Sequence, residues 1–267
     1  MKTKTIAEIG WNHMGDMTLA KEMISAAAES GADFAKFQTW SVDNLKSGPW
    51  DNDGRLEIYK KAGLTPDQHS ELAEYCKTQK IKFLTSIFNI NDSEWLPSVS
   101  KEFIKVPSHE VNNKELMKKI DGLFNNIIVS TGAASWNEVK KIPSCVKKSK
   151  LTLLHCVSAY PCPPEKVNLP RIIELKKINK SVGYSGHFFG IDDAIASLAY
   201  EVEFIEKHFT IDRKLPGRDN QFAILPEQMK VLTDYCKNNI DMNLDHGLDL
   251  QECEQDIVDN YRGRWSN

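Results

Sequence analysis

Several features that would place a chain in a specialised class are missing here. No apolar run approaches the ~20 residues a membrane-spanning helix needs. The opening Met1-Lys2-Thr3-Lys4 leads straight into a strand-like segment, without the apolar core of a signal peptide. Six cysteines, Cys76, Cys145, Cys156, Cys162, Cys236 and Cys253, form no C-x-x-C pair, and a chain this long does not depend on disulfide staples. No cysteine has an evident base beside it in sequence, so all six read as passive thiols. The net charge of −3, from 34 basic and 37 acidic residues, supplies no basic field for nucleic acid. Gly10 and Gly15 make no dinucleotide fingerprint, and no repeat, low-complexity tract or interdomain linker is visible. These exclusions leave an expectation of a soluble, cytoplasmic protein with reduced thiols and with no membrane or nucleic-acid partner.

What is present is a regular alternation. The chain has 267 residues, 41% hydrophobic and 27% charged, enough for a large core. Short apolar, strand-like runs occur at Thr5 to Ile9, Phe34 to Gln38, Lys82 to Ser86, Phe103 to Val106, Ile127 to Ser130, Leu151 to Cys156, Ser181 to Ser185 and Phe204 to His208. Helix signals fall between them. A stripe of Leu19, Met23, Ala26 and Ala27 stops at Gly31, and Ile191, Ile195 and Leu198 make another. Thr65-Pro66-Asp67-Gln68 and Ser135-Trp136-Asn137-Glu138 read as capping boxes. Eight strands alternating with helices predict a (β/α)₈ barrel over residues 1–240, with residues 241–267 as a C-terminal extension and not a separate domain. The one long excursion, Trp40 to Gly63, looks like a lid or substrate loop.

Such a barrel carries its active site at the C-terminal ends of its strands. The residues there are Glu8; Lys36 and Gln38; Ser86; Lys105, Ser108 and Glu110; Ser130; His155, Ser158 and Tyr160; Ser185 and His187; and His208. His187 and His208 end consecutive strands, and sheet neighbours lie about 4.8 Å apart, so both imidazoles can reach one ion. The alternative is a structural histidine at each place. Lys36 lies inside Phe34-Ala35-Lys36-Phe37-Gln38, where a solvated lysine is out of place; alternation puts Lys36 and Gln38 on one side, toward the barrel interior. Two lysines ringed by serines suit a phosphate and a carboxylate. Glu8 and Glu110 are either carboxylates for sugar hydroxyls and proton transfer or ion-pair partners of those lysines.

In order, these residues resemble the sialic acid synthase family, which condenses phosphoenolpyruvate with an amino-sugar aldehyde. The resemblance rests on Ile6-Ala7-Glu8-Ile9-Gly10 with Asn12-His13, Phe34-Ala35-Lys36-Phe37-Gln38-Thr39, Leu64-Thr65-Pro66-Asp67-Gln68-His69 and Ile104-Lys105-Val106-Pro107-Ser108-His109-Glu110. It continues through Ser130-Thr131-Gly132, Leu154-His155-Cys156 with Tyr160-Pro161, Gly183-Tyr184-Ser185-Gly186-His187 and Ile205-Glu206-Lys207-His208-Phe209-Thr210.

The resemblance implies roles. His187 and His208 would ligate a divalent ion, manganese in the first instance, with magnesium or cobalt as alternatives. Lys36, Ser86, Lys105, Ser108, Ser130, Ser158 and Ser185 would hold phosphoenolpyruvate. Glu8, Gln38, Tyr160 and Asp219 would meet the sugar, and Glu110 would act as acid or base. Two local departures stand out: Gly186 occupies a position usually held by aspartate, and Ser158 one often held by asparagine. The family's usual small C-terminal antifreeze-like domain, whose arginine reaches the acyl-amino end of the sugar, is expected to be absent. Its place would be taken by the Trp40 to Gly63 excursion (Asn44, Lys46, Trp50, Arg55), by the tail (Arg262, Arg264, Trp265), or by a second copy in a homodimer or a separate partner chain. The tail is the preferred internal candidate, because it leaves the barrel where the extra domain normally starts. The alternative readings are another phosphoenolpyruvate- or pyruvate-dependent C–C bond enzyme on the same barrel, such as an aldolase, and a catalytically silent partner protein.

Overall fold

The computed structural model describes residues 2–265, apart from the side chain of Trp50. Eight parallel strands close into a barrel in sequence order: β1 (Lys4–Gly10), β2 (Phe34–Thr39), β3 (Lys82–Ile87), β4 (Phe103–Val106), β5 (Asn126–Ser130), β6 (Lys150–Cys156), β7 (Val182–Gly186) and β8 (Phe204–His208). The helices are α1 (Met17–Glu29), α2 (Arg55–Ala62), α3 (Pro66–Thr78), α4 (Leu96–Val99), α5 (Lys114–Ile120), α6 (Trp136–Val139), α7 (Arg171–Ile178), α8 (Asp192–Ser197), α9 (Pro226–Met242) and α10 (Gln255–Asn260). The expected (β/α)₈ architecture is therefore present, and the strand boundaries differ from the sequence reading by a residue or two. Among the described residues no helix is long and apolar enough to cross a membrane, and all six thiols are free.

Local chemistry explains the punctuation. Thr65 Oγ1 accepts from the Gln68 amide at the start of α3 while the Gln68 side chain returns to the Thr65 amide. Ser135 and Glu138 do the same at α6. Both satisfy amides that a helix N-terminus leaves without partners. α1 ends at Gly31, whose φ of +81° is the left-handed conformation a helix stop favours.

Strand alternation sorts the side chains into two compartments. Outward residues such as Ala7, Phe37, Ile104, Val129 and Leu153 pack with the helices in the larger core. Inward residues Ile6, Phe34, Leu84, Phe103, Ile128, Leu154 and Phe204 form a separate cluster inside the barrel. Phe34 and Phe103 meet edge to face at 5.0 Å. This apolar floor closes the lower end of the barrel, so whatever the next inward residue on each strand carries is presented toward the open end.

The excursion after β2 is more ordered than a bare loop. It contains α2, and Trp11, Trp40 and Tyr59 make a triangle of edge-on rings at 5.2–6.2 Å, with Trp40 Nε1 donating to the Tyr59 carbonyl at 3.1 Å. Beyond α9 the chain is mostly exposed, Trp265 at 90%.

Candidate active site

Two residues above the floor, every strand changes character. The inward positions become Glu8, Lys36, Ser86, Lys105, Ser130, Cys156, Ser185 and Glu206, all buried. Register places them side by side: Glu8 opposite Lys36, Ser86 opposite Lys105, Cys156 opposite Ser185, and Ser185 opposite Glu206. Lys36 Nζ lies 2.9 Å from Glu206 Oε2 and 3.4 Å from Glu8 Oε2. Lys105 Nζ lies 3.2 Å from both Glu206 oxygens, and Ser185 Oγ donates to Glu206 Oε1 at 3.0 Å. One carboxylate thus holds two ammoniums, with Ser86 Oγ 3.3 Å from Lys36. Gln38 Nε2 donates to Glu8 Oε1 at 2.6 Å.

Burial sets the proton affinities. It raises the Glu8 carboxyl to about 7, against the pull of Lys36. It lowers Lys105 to about 8, helped by Lys36 and opposed by Glu206. Burial would raise Glu206, but Lys105 and Lys36 outweigh it and hold this carboxylate far below the usual range.

Above this layer sit the two histidines, ring centroids 5.4 Å apart. The Val157 carbonyl can only accept, so the 2.8 Å contact with His187 Nδ1 places a proton on Nδ1 and leaves Nε2 as the nitrogen open to a ligand; burial disfavours the charged ring, but Cys156 and the Val157 carbonyl raise its proton affinity above that of an ordinary imidazole. His208 Nδ1 is buried without a hydrogen-bond partner, 3.5 Å from Asp219 Oδ2. Burial, reinforced by His187, drives His208 well below the usual imidazole value, so its ring is neutral. Tyr160 lies over His187 at 4.2 Å between centroids, and burial lifts Asp219 to about 6. Among the described residues no group of three or more His, Cys, Asp or Glu is clustered to hold a metal.

All of this faces one cavity of about 560 Å³. It brings together Glu8, Lys36, Gln38, Ser86, Lys105, Ser108, Ser130, Ser158, Tyr160, Ser185, His187, His208 and Asp219. Glu110 is not among its lining residues. It follows Ser108 in the same 3₁₀ turn, and its Oε2 accepts from Asn113 Nδ2 at 2.8 Å, a local contact. Ser130 Oγ is buried without a partner. A Cβ on Gly132 would collide with Ser158 Oγ and come within 2.8 Å of Ser108 Oγ and 3.1 Å of Cys156 Sγ. Glycine there keeps a small hollow lined by hydroxyls.

The sequence reading needs further corrections. Cys156, read from sequence as one of six passive thiols, lines the cavity with Sγ 3.8 Å from His187 Nδ1. Burial opposes its ionisation, but His187, Ser108 and Lys105 together outweigh burial and lower it to about 7. Glu206 was overlooked, although it stands two residues before His208 on the same face of β8. No described residue of the tail lines the cavity. The excursion does, through Arg55 and Tyr59, with Arg218 across the mouth. Asn44 and Lys46 do not reach it, and the Trp50 side chain lies outside the described residues.

Comparison with known proteins identifies the family and the fold. Residues 23–246 match the NeuB family. An N,N'-diacetyllegionaminic acid synthase of Campylobacter jejuni is 37% identical over 248 residues, covering 86% of this chain and 74% of the relative. A pseudaminic acid synthase of Campylobacter jejuni is 33% identical over 266 residues, covering 94% and 78%. A crystal structure of N-acetylneuraminic acid synthetase from Leptospira borgpetersenii, in complex with citrate, superposes with a TM-score of 0.88 at 30% identity, covering 99% of this chain and 93% of that one. A truncated 3-deoxy-D-arabino-heptulosonate 7-phosphate synthase from Thermotoga maritima shares the fold alone, at 12% identity and a TM-score of 0.69. The relatives bear the names of sugar-acid synthases, and the family match runs through most of the barrel: this chain belongs to the NeuB family.

Proposed function

We propose that the protein is a metal-dependent synthase that condenses phosphoenolpyruvate with an amino-sugar aldehyde to give a nonulosonic acid and phosphate. The observation that carries this reading is the buried Lys36–Glu206–Lys105 array with its ring of serines. Two desolvated ammoniums sharing one carboxylate form a site short of negative charge, and phosphoenolpyruvate supplies it. Lys36, Lys105, Ser86 and Ser185 would take its carboxylate end, and Ser108, Ser130, Ser158 and the Gly132 hollow its phosphate. The names of the relatives favour an acceptor with acylated amino groups.

His187 and His208 fit a divalent ion as two of its ligands: both face the cavity, one has Nδ1 engaged by the Val157 carbonyl so that Nε2 is left for the ion, and the other has an orphaned ring nitrogen. Such an ion, when bound, supplies Lewis-acid polarisation of the aldehyde oxygen. The protein's own groups do the rest. The lysines and serines fix phosphoenolpyruvate so that C3 faces the aldehyde carbon, which converts a two-body encounter into a positioned one. C3 bonds to that carbon, water adds at C2, and phosphate leaves with cleavage of its C–O bond. Glu8, protonated near neutrality and held by Gln38, takes over the acid–base role that sequence reasoning assigned to Glu110. It can deliver a proton to the aldehyde oxygen, which becomes the new hydroxyl as the C–C bond forms.

The test is phosphate release from phosphoenolpyruvate with manganese and a panel of acylated amino-sugar aldehydes, including N-acetylmannosamine and 2,4-diacetamido-trideoxyhexoses. Release that requires both substrates is expected, with oxygen-18 from the bridging position appearing in phosphate. Pyruvate consumption without phosphate would make the protein an aldolase instead.

A further inference from the structure

Behind the two histidines, on the outer side of the barrel wall, lies a second buried charge cluster that the reaction does not touch. Lys207 stands between Glu206 and His208 on β8, so alternation turns it away from the lumen toward α8. Its ammonium donates to both Asp193 oxygens at 3.0 Å and to the Phe188 carbonyl at 2.8 Å. All three N–H bonds of the ammonium are thereby used. Tyr184 Oη donates to Asp193 Oδ2 at 2.7 Å. The Lys207 and Asp193 side chains are each 2% exposed.

The position of the cluster is what matters. Phe188 immediately follows His187, and Lys207 immediately precedes His208. One lysine therefore ties the strand carrying the second histidine to the loop carrying the first. The His187 carbonyl is held from the other side by the Cys162 amide at 2.9 Å. Gly186 completes the design. It is the register partner of Lys207, and a Cβ there would land on Asp193 Oδ2 and come within 2.6 Å of Tyr184 Cε1. The missing side chain at residue 186 is the space that the Asp193 carboxylate fills from the first turn of α8.

We propose that Asp193, Lys207 and Tyr184 are positioning residues that set the spacing and orientation of His187 relative to His208. This proposal rests on the reading of those histidines as metal ligands. A buried ion pair gives little net stability over apolar packing of similar volume. Three directed hydrogen bonds, however, fix where the Phe188 carbonyl, and hence His187, can lie. Outer groups that orient metal-binding histidines typically govern affinity by roughly 10- to 100-fold.

The experiment compares the full-length protein with two variants, Asp193→Asn and the paired Asp193→Leu/Lys207→Met. It measures manganese affinity by calorimetry, thermal midpoint without metal, and exchange of the His187 Nδ1 proton by NMR. The apolar pair removes both charges together and so keeps the fold. It is expected to retain a cooperative transition near the wild-type midpoint, to bind manganese at least tenfold more weakly, and to exchange the His187 proton faster. Asp193→Asn should weaken manganese binding in the same direction. Wild-type manganese affinity and an unchanged His187 proton in the apolar pair would overturn the positioning role and leave the metal reading standing. Absence of manganese binding by the wild type would overturn the metal reading and, with it, the purpose assigned to the cluster.

Discussion

The lower and upper halves of the barrel lumen are built from the same strands, two residues apart. Ile6, Phe34, Leu84, Phe103, Ile128, Leu154 and Phe204 make the floor; Glu8, Lys36, Ser86, Lys105, Ser130, Cys156 and Glu206 stand directly above them. The side chains of both halves are buried. The floor gains stability from packing, since its members have no polar atoms to desolvate. The upper half gains little from its charges, because desolvation offsets much of what the ion pairs return. Charges kept in such a place serve binding, and the two halves should therefore respond differently to substitution.

The largest effect should come at the top. His208→Ala removes one imidazole facing the cavity. Several kcal/mol of transition-state stabilisation, at about 1.4 kcal/mol per tenfold, correspond to roughly a thousandfold loss of turnover. The thermal midpoint should barely move. Full activity after exhaustive chelation would remove the metal from the account.

Phe34→Ala inverts that pattern. It opens a cavity in the floor and should cost ~3–5 kcal/mol in urea unfolding. The turnover of the molecules that remain folded should change little. A large drop in turnover per folded molecule would show that the floor shapes the site directly.

Lys36→Met lies between these extremes. Losing a charge-assisted hydrogen bond worth about 1.5–3 kcal/mol should raise the KM for phosphoenolpyruvate by roughly tenfold or more, with little change for the sugar. Unchanged phosphoenolpyruvate affinity in both Lys36→Met and Lys105→Met would separate the lysines from this substrate.

A smaller effect is expected from pH. Glu8 is raised from 4.5 to about 7 and Asp219 from 3.8 to about 6 in the folded protein. The folded state keeps protons that the unfolded chain has released, so their contribution to stability declines as pH rises from about 4 to about 7. Lys105, lowered from 10.5 to about 8, acts in the opposite direction above pH 8, where the unfolded chain keeps the proton. Glu8→Gln should flatten the decline in denaturation midpoint between pH 5 and 7; an unaltered slope would place the titration elsewhere.

The least effect is expected where neither half is touched. Truncation after Asp259 should leave binding of both substrates and the thermal midpoint unchanged, because no described residue of the tail lines the cavity. Arg218→Ala, at the mouth, should weaken the sugar alone. Loss of sugar binding on truncation would return the tail to the site.

Twelve of the residues picked out at strand ends line one cavity, and those within the strands do so because the period of a strand is two. Lys36 could be placed inside the barrel from Phe34-Ala35-Lys36-Phe37-Gln38 alone. The same rule places Glu206 on the inward face with His208, and Cys156 with Leu154. Glu110 was misplaced for the opposite reason: it lies beyond β4 in a 3₁₀ turn, where alternation no longer tells which way a side chain faces. The tail and the excursion could not be ranked from sequence, since nothing local says which segment folds back over the barrel mouth.

The amino-acid order by itself determined the barrel, its strand and helix succession and the inward side of Lys36 and Gln38, because each follows from periodicity and capping within a few residues. Only the tertiary structure decided which charges meet. Lys36 and Lys105 converge on Glu206, and Asp193 takes the space above Gly186 to reach Lys207. Those contacts join residues far apart in the chain, and their geometry depends on how the closed barrel staggers its strands and seats α8 against them.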